Sequence, residues 1–279
     1  MKLVLRKRFV ELKSPVIMGI LNVTPDSFSD GGRYLKINDA LKHIAKMVRD
    51  GADIIDIGGE STRPRAKLVT TEEEIDRIVP IIEKVKKEFE ILVSIDTYKD
   101  RLAKVAVQEA DVDMVNDISG LRFSENMAST IASLDVPVVV MHMQGSPENM
   151  QKNPYYSDVV REIKQYFSER IEYAMSKGIR KDKLIIDPGI GFGKRFEDNI
   201  EIIKHLNEFN DFECPLLIGL SRKSFLGTIT GEKIPRKREI ETVAAHIISI
   251  LNGASIVRVH NVKNMVKVIK ILQHLVEVS

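Results

Sequence analysis

Short apolar runs alternate along this chain with longer segments whose apolar residues recur at three- and four-residue intervals. The runs are Val16–Asn22, Asp53–Gly58, Leu92–Asp96, Met114–Asp117, Pro137–His142, Leu184–Asp187, Leu216–Leu220 and Ile256–His260. They are β-rich and almost continuously apolar, the pattern of strands buried on both faces. Between them, Ala40, Leu41, Ile44, Ala45 and Val48 share one helical face that stops at Gly51, a residue suited to ending a helix. Thr71, followed by Glu72-Glu73-Glu74, predicts a capping box with Glu74 at the head of a helix over Ile75–Phe89. Further helices are expected over Arg101–Ala110, Met127–Leu134, Val159–Lys177, Glu197–Phe209, Ile240–Leu251 and Val262–Val278.

Strand-then-helix units in one unbroken row predict an α/β protein, a closed (β/α)8 TIM barrel forming a single domain. An open doubly wound sheet is the alternative, though it usually has fewer units. Residues 1–15 are expected to form a short N-terminal strand or lid segment, with the barrel over 16–279. The last helix carries two apolar stripes where a barrel helix needs one. Val262, Met265, Val266, Ile269, Leu272 and Val276 form the first, and Val268, Ile271, Leu275 and Val278 the second. Together with the nearly all-apolar Ile240–Leu251, the second stripe predicts a homodimer through the last two helices. Burial under the N-terminal segment is the other reading.

Composition narrows the picture. A length of 279 residues suits one barrel of about 250 residues with a short extension. A net charge of +2 predicts neither nucleic-acid nor membrane affinity, so anion binding must come from local clusters. The one cysteine, Cys214, excludes an intramolecular disulfide and reads as a small apolar residue before a strand. Residues 1–10 are too charged for a signal-peptide core, and no apolar run approaches the roughly 18 residues of a membrane span. A soluble, cytoplasmic protein is expected.

Where each strand ends, the chain turns polar. The ends carry Asn22-Val-Thr24, Glu60-Ser-Thr-Arg63, Asp96-Thr97, Asn116-Asp117, His142, Asp187 through Gly193, Ser221-Arg-Lys-Ser224 and Arg258-Val-His260. Any one of these groups could be a strand-end cap; all together point to an active site at the C-terminal face of the barrel. They sort into two chemical sets. Asp96, Asn116, Asp187 and Lys223 suit a planar heterocycle: carboxylates accept from ring N–H and amino groups, an amide both donates and accepts, and an ammonium meets a ring carbonyl. Asn22, Thr62, Arg63, Arg258 and His260 suit a diphosphate, with Asn22 offering an oxygen to a hard ion such as Mg2+. Replacing Arg63 or Arg258 with alanine is expected to impair anion handling and leave the fold intact. His43, His205, His246 and His274 lie on helices and read as structural; His142 has no evident role. Two longer segments, Thr24–Tyr34 and Ser61–Thr70, look like lids over the site, the first with Phe28 and Asp30 beside a glycine pair.

These motifs resemble those of the dihydropteroate synthase family. Gly19-Ile-Leu-Asn-Val-Thr-Pro-Asp-Ser-Phe-Ser-Asp-Gly-Gly32 is similar to the family's first signature and Asp56-Ile-Gly-Gly-Glu-Ser-Thr-Arg-Pro64 to its second. Ser94–Thr97, Val115–Gly120, Asp187–Lys194, Ser221–Ser224 and Arg258–His260 follow in family order, so the likeness covers nearly the whole chain. The resemblance implies condensation of 6-hydroxymethyl-7,8-dihydropterin diphosphate with p-aminobenzoate, giving 7,8-dihydropteroate and diphosphate in folate synthesis. It implies that Asp96, Asn116, Asp187 and Lys223 hold the pterin, with Met141 and Phe192 lining its slot. Asn22, Thr62, Arg63, Arg258 and His260 would take the diphosphate with Mg2+ on Asn22, and Phe28, Pro64 and Ser224 would take p-aminobenzoate. Asp30, Arg63, Lys223 and Arg258 are the expected catalytic residues, Asp30 stabilising a cation as the diphosphate leaves. Arg65 departs from the family, which commonly has glycine there. A pterin-binding methyltransferase and a non-catalytic pterin-binding paralogue are the rival readings.

Overall fold

A computed structural model describes residues 2–6, 9–11, 15–23, 33–60 and 69–276. Eight parallel strands follow one another around a barrel: β3 (Val16–Asn22), β4 (Ile54–Gly58), β5 (Leu92–Asp96), β6 (Met114–Asp117), β7 (Val138–Met141), β8 (Leu184–Asp187), β9 (Leu217–Ile218) and β10 (Ile256–Val259). β10 pairs with β3, and a bridge from Ile186 to Leu216 joins the β8 and β9 edges to close the ring. Around it lie α1 (Arg33–Asp50), α2 (Thr71–Glu88), α3 (Asp100–Glu109), α4 (Met127–Leu134), α5 (Val159–Ser176), α6 (Phe196–Lys204), α7 (Ser224–Thr230), α8 (Glu239–Leu251) and α9 (Val262–Leu275). This is the expected (β/α)8 barrel.

Alternate strand residues face opposite sides, which resolves the nearly continuous apolar runs into two cores. Ile55, Ile57, Val93, Ile95, Val115, Val138, Val140, Leu184, Ile186 and Val257 pack outward with the helices. Val16, Met18, Ile54, Leu92, Met114, Val139, Ile185, Leu217 and Ile256 meet inside the barrel at its lower end. Leu3 and Leu5 join that inner core, brought there by a small hairpin of β1 (Lys2–Val4) and β2 (Phe9–Glu11). Buried Lys183 fastens the hairpin, donating to Leu5 O at 3.1 Å and Asp135 O at 2.6 Å.

Several boundaries differ from expectation, each for a local reason. The N-cap of α2 is Thr70, not Thr71, and its capping-box partner is Glu73, with both reciprocal bonds at 3.2 Å. Glu74 is instead buried against Lys99 Nζ at 2.8 Å. The run expected as a strand to Leu220 stops at Ile218, and the Leu220 N–H bonds His246 Nε2. β10 stops at Val259 because the His260 N–H turns to Ser221 Oγ. The helix expected over Glu197–Phe209 ends at Lys204 and continues as a 3-10 helix, Leu206–Phe212. Leu206, Phe209 and Phe212 recur every third residue, the 3-10 repeat, and both phenylalanines meet Phe167 edge-on at 5.8 Å.

Leu3 is 2% exposed, so Leu3→Ala should cost about 2–4 kcal/mol in urea unfolding. Activity per folded molecule should be unchanged, because this floor is at the end of the barrel opposite the polar strand ends.

Candidate active site

The inward positions change character along each strand. Leu92 belongs to the floor, Ser94 is buried above it and Asp96 ends β5; Met114 gives way to Asn116, Ile185 to Asp187 and Ile256 to Arg258. Register brings these upper residues together: Asn22 is opposite Gly58, Gly58 opposite Asp96, Asp96 opposite Asn116, and Met141 opposite Asp187. Gly58 leaves room between its neighbours, since a Cβ there would lie 3.4 Å from Asp96 Cβ and 3.6 Å from Asn22 Oδ1.

Arg258 is the hub. Its Nε donates to Asp56 Oδ2 at 2.6 Å and its Nη2 to Asp96 Oδ2 at 2.9 Å. Asn116 Nδ2 donates to the same Asp56 oxygen at 3.0 Å. Arg258, expected in the anion set, is therefore bonded to Asp96 and, through Asp56, tied to Asn116, both expected in the heterocycle set. Asp56, completely buried, had no role in that reading. The signal for it was a lone carboxylate in Ile54-Ile55-Asp56-Ile57, on the inward side of the strand.

A second cluster stands beside the first. Asp187 Oδ1 accepts from Gly189 N–H at 2.7 Å. That turn requires glycine: Gly189 has φ +67°, and a Cβ would fall 2.0 Å from His142 O. Lys223, the residue before α7, holds Nζ 4.2 Å from the Phe192 ring centroid, a cation–π distance. Met141, Ile118, Met143 and Met150 form an apolar patch with Phe192 and Tyr98 packed on it, so an apolar wall stands beside the polar groups. Ser224 is exposed as the first residue of α7, and Ser221 Oγ lies 2.9 Å from His260 Nδ1. Phe28, Asp30, Thr62, Arg63, Pro64 and Arg65 lie outside the described residues.

Burial dominates the electrostatics. It pushes Asp96 up to about 7, opposed by Arg258 and reinforced by the Asp56 carboxylate. It pushes Asp187 up to about 6 against the Gly189 N–H and the Lys223 ammonium. Lys223 is brought down to about 8 by burial, against Asp187. Such opposed shifts among neighbouring groups at the strand ends make this a candidate functional centre. Behind it, Lys194 Nζ lies 2.9 Å from His142 Nδ1 and donates to Phe192 O at 3.1 Å. Burial, then Lys194, holds His142 well below its ordinary value. His142 is thus a neutral packing residue, edge-on to Tyr166 at 4.8 Å.

The model of the pterin binding enzyme family matches residues 18–260. A dihydropteroate synthase of Escherichia coli is 42% identical over 273 residues, covering 98% of this chain and 96% of that one. The chain belongs to the dihydropteroate synthase family of pterin-binding enzymes. Members of that family are transferases. The Yersinia pestis dihydropteroate synthase, solved as a complex with a sulfonamide drug, superposes with a TM-score of 0.92 at 43% identity, covering 98% of each chain. The Xanthomonas albilineans enzyme with 4-aminobenzoic acid gives 0.92 at 41%, covering 100% of this chain and 99% of that one.

The geometry corrects one expectation. Arg258→Ala cannot leave the fold untouched, because it strands the buried Asp56 carboxylate. Removing one partner of such a pair costs about 3–5 kcal/mol. Urea unfolding should show a loss of that order, and adding Asp56→Ala should recover part of it; an unshifted midpoint in the single variant would contradict the pairing.

Proposed function

We propose that this chain condenses a hydroxymethyl-dihydropterin diphosphate with p-aminobenzoate to form dihydropteroate, a step of folate synthesis. The observation that carries this reading is the meeting of Asp96, Asn116, Asp187, Lys223 and Arg258 at one barrel mouth, in a chain with close dihydropteroate synthase relatives. The Xanthomonas albilineans relative has also been solved with 7,8-dihydropteroate. A sulfonamide-binding site, as in the Yersinia pestis complex, belongs to the same proposal.

In this reading Asp96, Asn116 and Asp187 accept from the pterin edge, Lys223 meets its carbonyl, and Met141 and Phe192 line the ring faces. Arg258, with Arg63, Thr62, Asn22 and His260, draws off the diphosphate. Phe28 and Pro64 close over the p-aminobenzoate ring and Ser224 receives its carboxylate. Asp30 stabilises positive charge at the methylene carbon as the C–O bond lengthens. The aniline nitrogen is a neutral nucleophile at pH 7, so positioning and leaving-group stabilisation carry most of the rate.

Asn22 is exposed at the end of β3 and is the residue to hold Mg2+. The donor set fits, since Mg2+ keeps water and phosphate oxygens as most of its ligands and needs few from protein; among the described residues no acidic or His/Cys cage competes for it. When bound, Mg2+ supplies positive charge beside the diphosphate.

The chain, given pterin diphosphate, p-aminobenzoate and Mg2+, should release diphosphate and form dihydropteroate in equal amounts. Pterin binding without turnover would favour the non-catalytic paralogue, and methyl transfer the methyltransferase reading.

A homodimer through α8 and α9 is part of the proposal. Among the described residues no helix is long and apolar enough to cross a membrane, and a cytoplasmic location is proposed with it. Ile240 on α8 is 83% exposed, and Ile271 and Leu275 on α9 are 57% and 76% exposed; of the rest of the second stripe, Val268 packs partly against the core and Val278 lies outside the described residues. Light scattering should give twice the 31.6 kDa chain mass. An Ile271→Asp, Leu275→Asp variant should fall to the single mass, and a monomeric wild type would exclude this interface.

A further inference from the structure

We propose that Asp56 is a positioning residue that sets which atoms Asn116 and Arg258 turn toward the ligand, making the slot an acceptor at Asn116. The inference rests on the pterin-slot reading above and deepens it.

Three observations carry it. Asp56 Oδ2 takes both the Asn116 Nδ2 bond at 3.0 Å and the Arg258 Nε bond at 2.6 Å. A carboxylate paired to a guanidinium only accepts, so Asn116 must give it the NH2 group, and the amide oxygen is turned away. Asn116 Oδ1 takes no hydrogen bond from the described residues. Among the described residues the strand ends therefore present acceptor oxygens at Asp96, Asn116 Oδ1 and Asp187, beside the cations of Lys223 and Arg258. That pattern suits a ring edge carrying adjacent amino and N–H groups, and it disfavours one whose amino group is replaced by a carbonyl. A free asparagine would serve either edge.

The second observation is that Asp56 Oδ1 is fully buried and without a partner among the described residues. So is Ser94 Oγ, which belongs to the residue opposite it on β5. Buried polar atoms in native proteins are nearly always satisfied. A carboxylate placed here for packing alone would be a costly choice. The third is the second bond of Arg258, to Asp96 Oδ2 at 2.9 Å. With Nε and Nη2 both engaged, the plane of the guanidinium is fixed before any ligand arrives.

The test compares binding of 6-hydroxymethylpterin with its lumazine analogue, in which a carbonyl replaces the amino group. Wild type should prefer the pterin. Asp56→Ala should weaken pterin binding about tenfold, the scale of one hydrogen bond to a charged group, and should weaken lumazine binding less, so that discrimination drops. Asp56→Asn, which can keep an acceptor oxygen in place, should recover most of the preference. In an Asn116→Ala background, Asp56→Ala should remove little further discrimination. Unchanged discrimination in Asp56→Ala, or losses that multiply in the double variant, would overturn the proposal. Should Asp56→Ala not fold, the wild type answers by NMR: the Asn116 side-chain NH2 should stay protected from exchange with pterin bound. An NH2 that turns to contact the pterin would overturn the idea equally. Wild type that binds neither compound sinks the pterin reading itself, a result distinct from either.

Discussion

The guanidinium of Arg258 lies between two carboxylates inside a barrel, and the arrangement of the mouth depends on it. Without that cation, Asp56 and Asp96 would face each other in a space that burial has already made hostile to charge. Buried ion pairs seldom add net stability once desolvation is counted, so the interaction is better understood as geometry. It holds a cation, an amide and two carboxylates in one orientation, and it pulls against the burial that raises the proton affinity of Asp96 above that of a free aspartate.

The same strands that carry this cluster also supply its insulation. Two residues below Asn116 is Met114, two below Asp187 is Ile185, and two below Arg258 is Ile256, all in the inner apolar floor. The change from apolar to charged along one inward face takes place within a single pleat repeat. A low-dielectric floor strengthens every electrostatic contact above it and makes each unpaired group costlier. The outward residues, nearly all Val and Ile, are occupied with the helices and leave the interior free to be polar.

Much of this was legible in the chain. The strand positions could be read because both faces of each strand are apolar at the floor level, and the polar ends named Asp96, Asn116, Asp187, Lys223 and Arg258 directly. Asp56 was hidden for the same reason, since a single carboxylate within an isoleucine run looks like a break in a strand until the pleat assigns it to the inside. The tie between Arg258 and the heterocycle set was also invisible, because Arg258 and Asp56 are separated by most of the chain. Boundaries failed where a side chain competes for a backbone group: the His246 ring shortens β9, and the Ser221 hydroxyl shortens β10. At α2, a buried Glu74–Lys99 pair displaced the cap by one position.

The hairpin beneath the barrel bears on how its two ends are tied together. Leu3 and Leu5 precede the barrel strands, yet their neighbours include Leu217 and Ile256, and the ammonium that ties Leu5 belongs to Lys183. The hairpin thus packs on residues drawn from nearly every strand of the barrel, early and late. Contacts of such long sequence separation form late and slowly. The floor therefore joins segments that are distant along the chain, and sealing it is a matter of long-range contacts rather than of local structure.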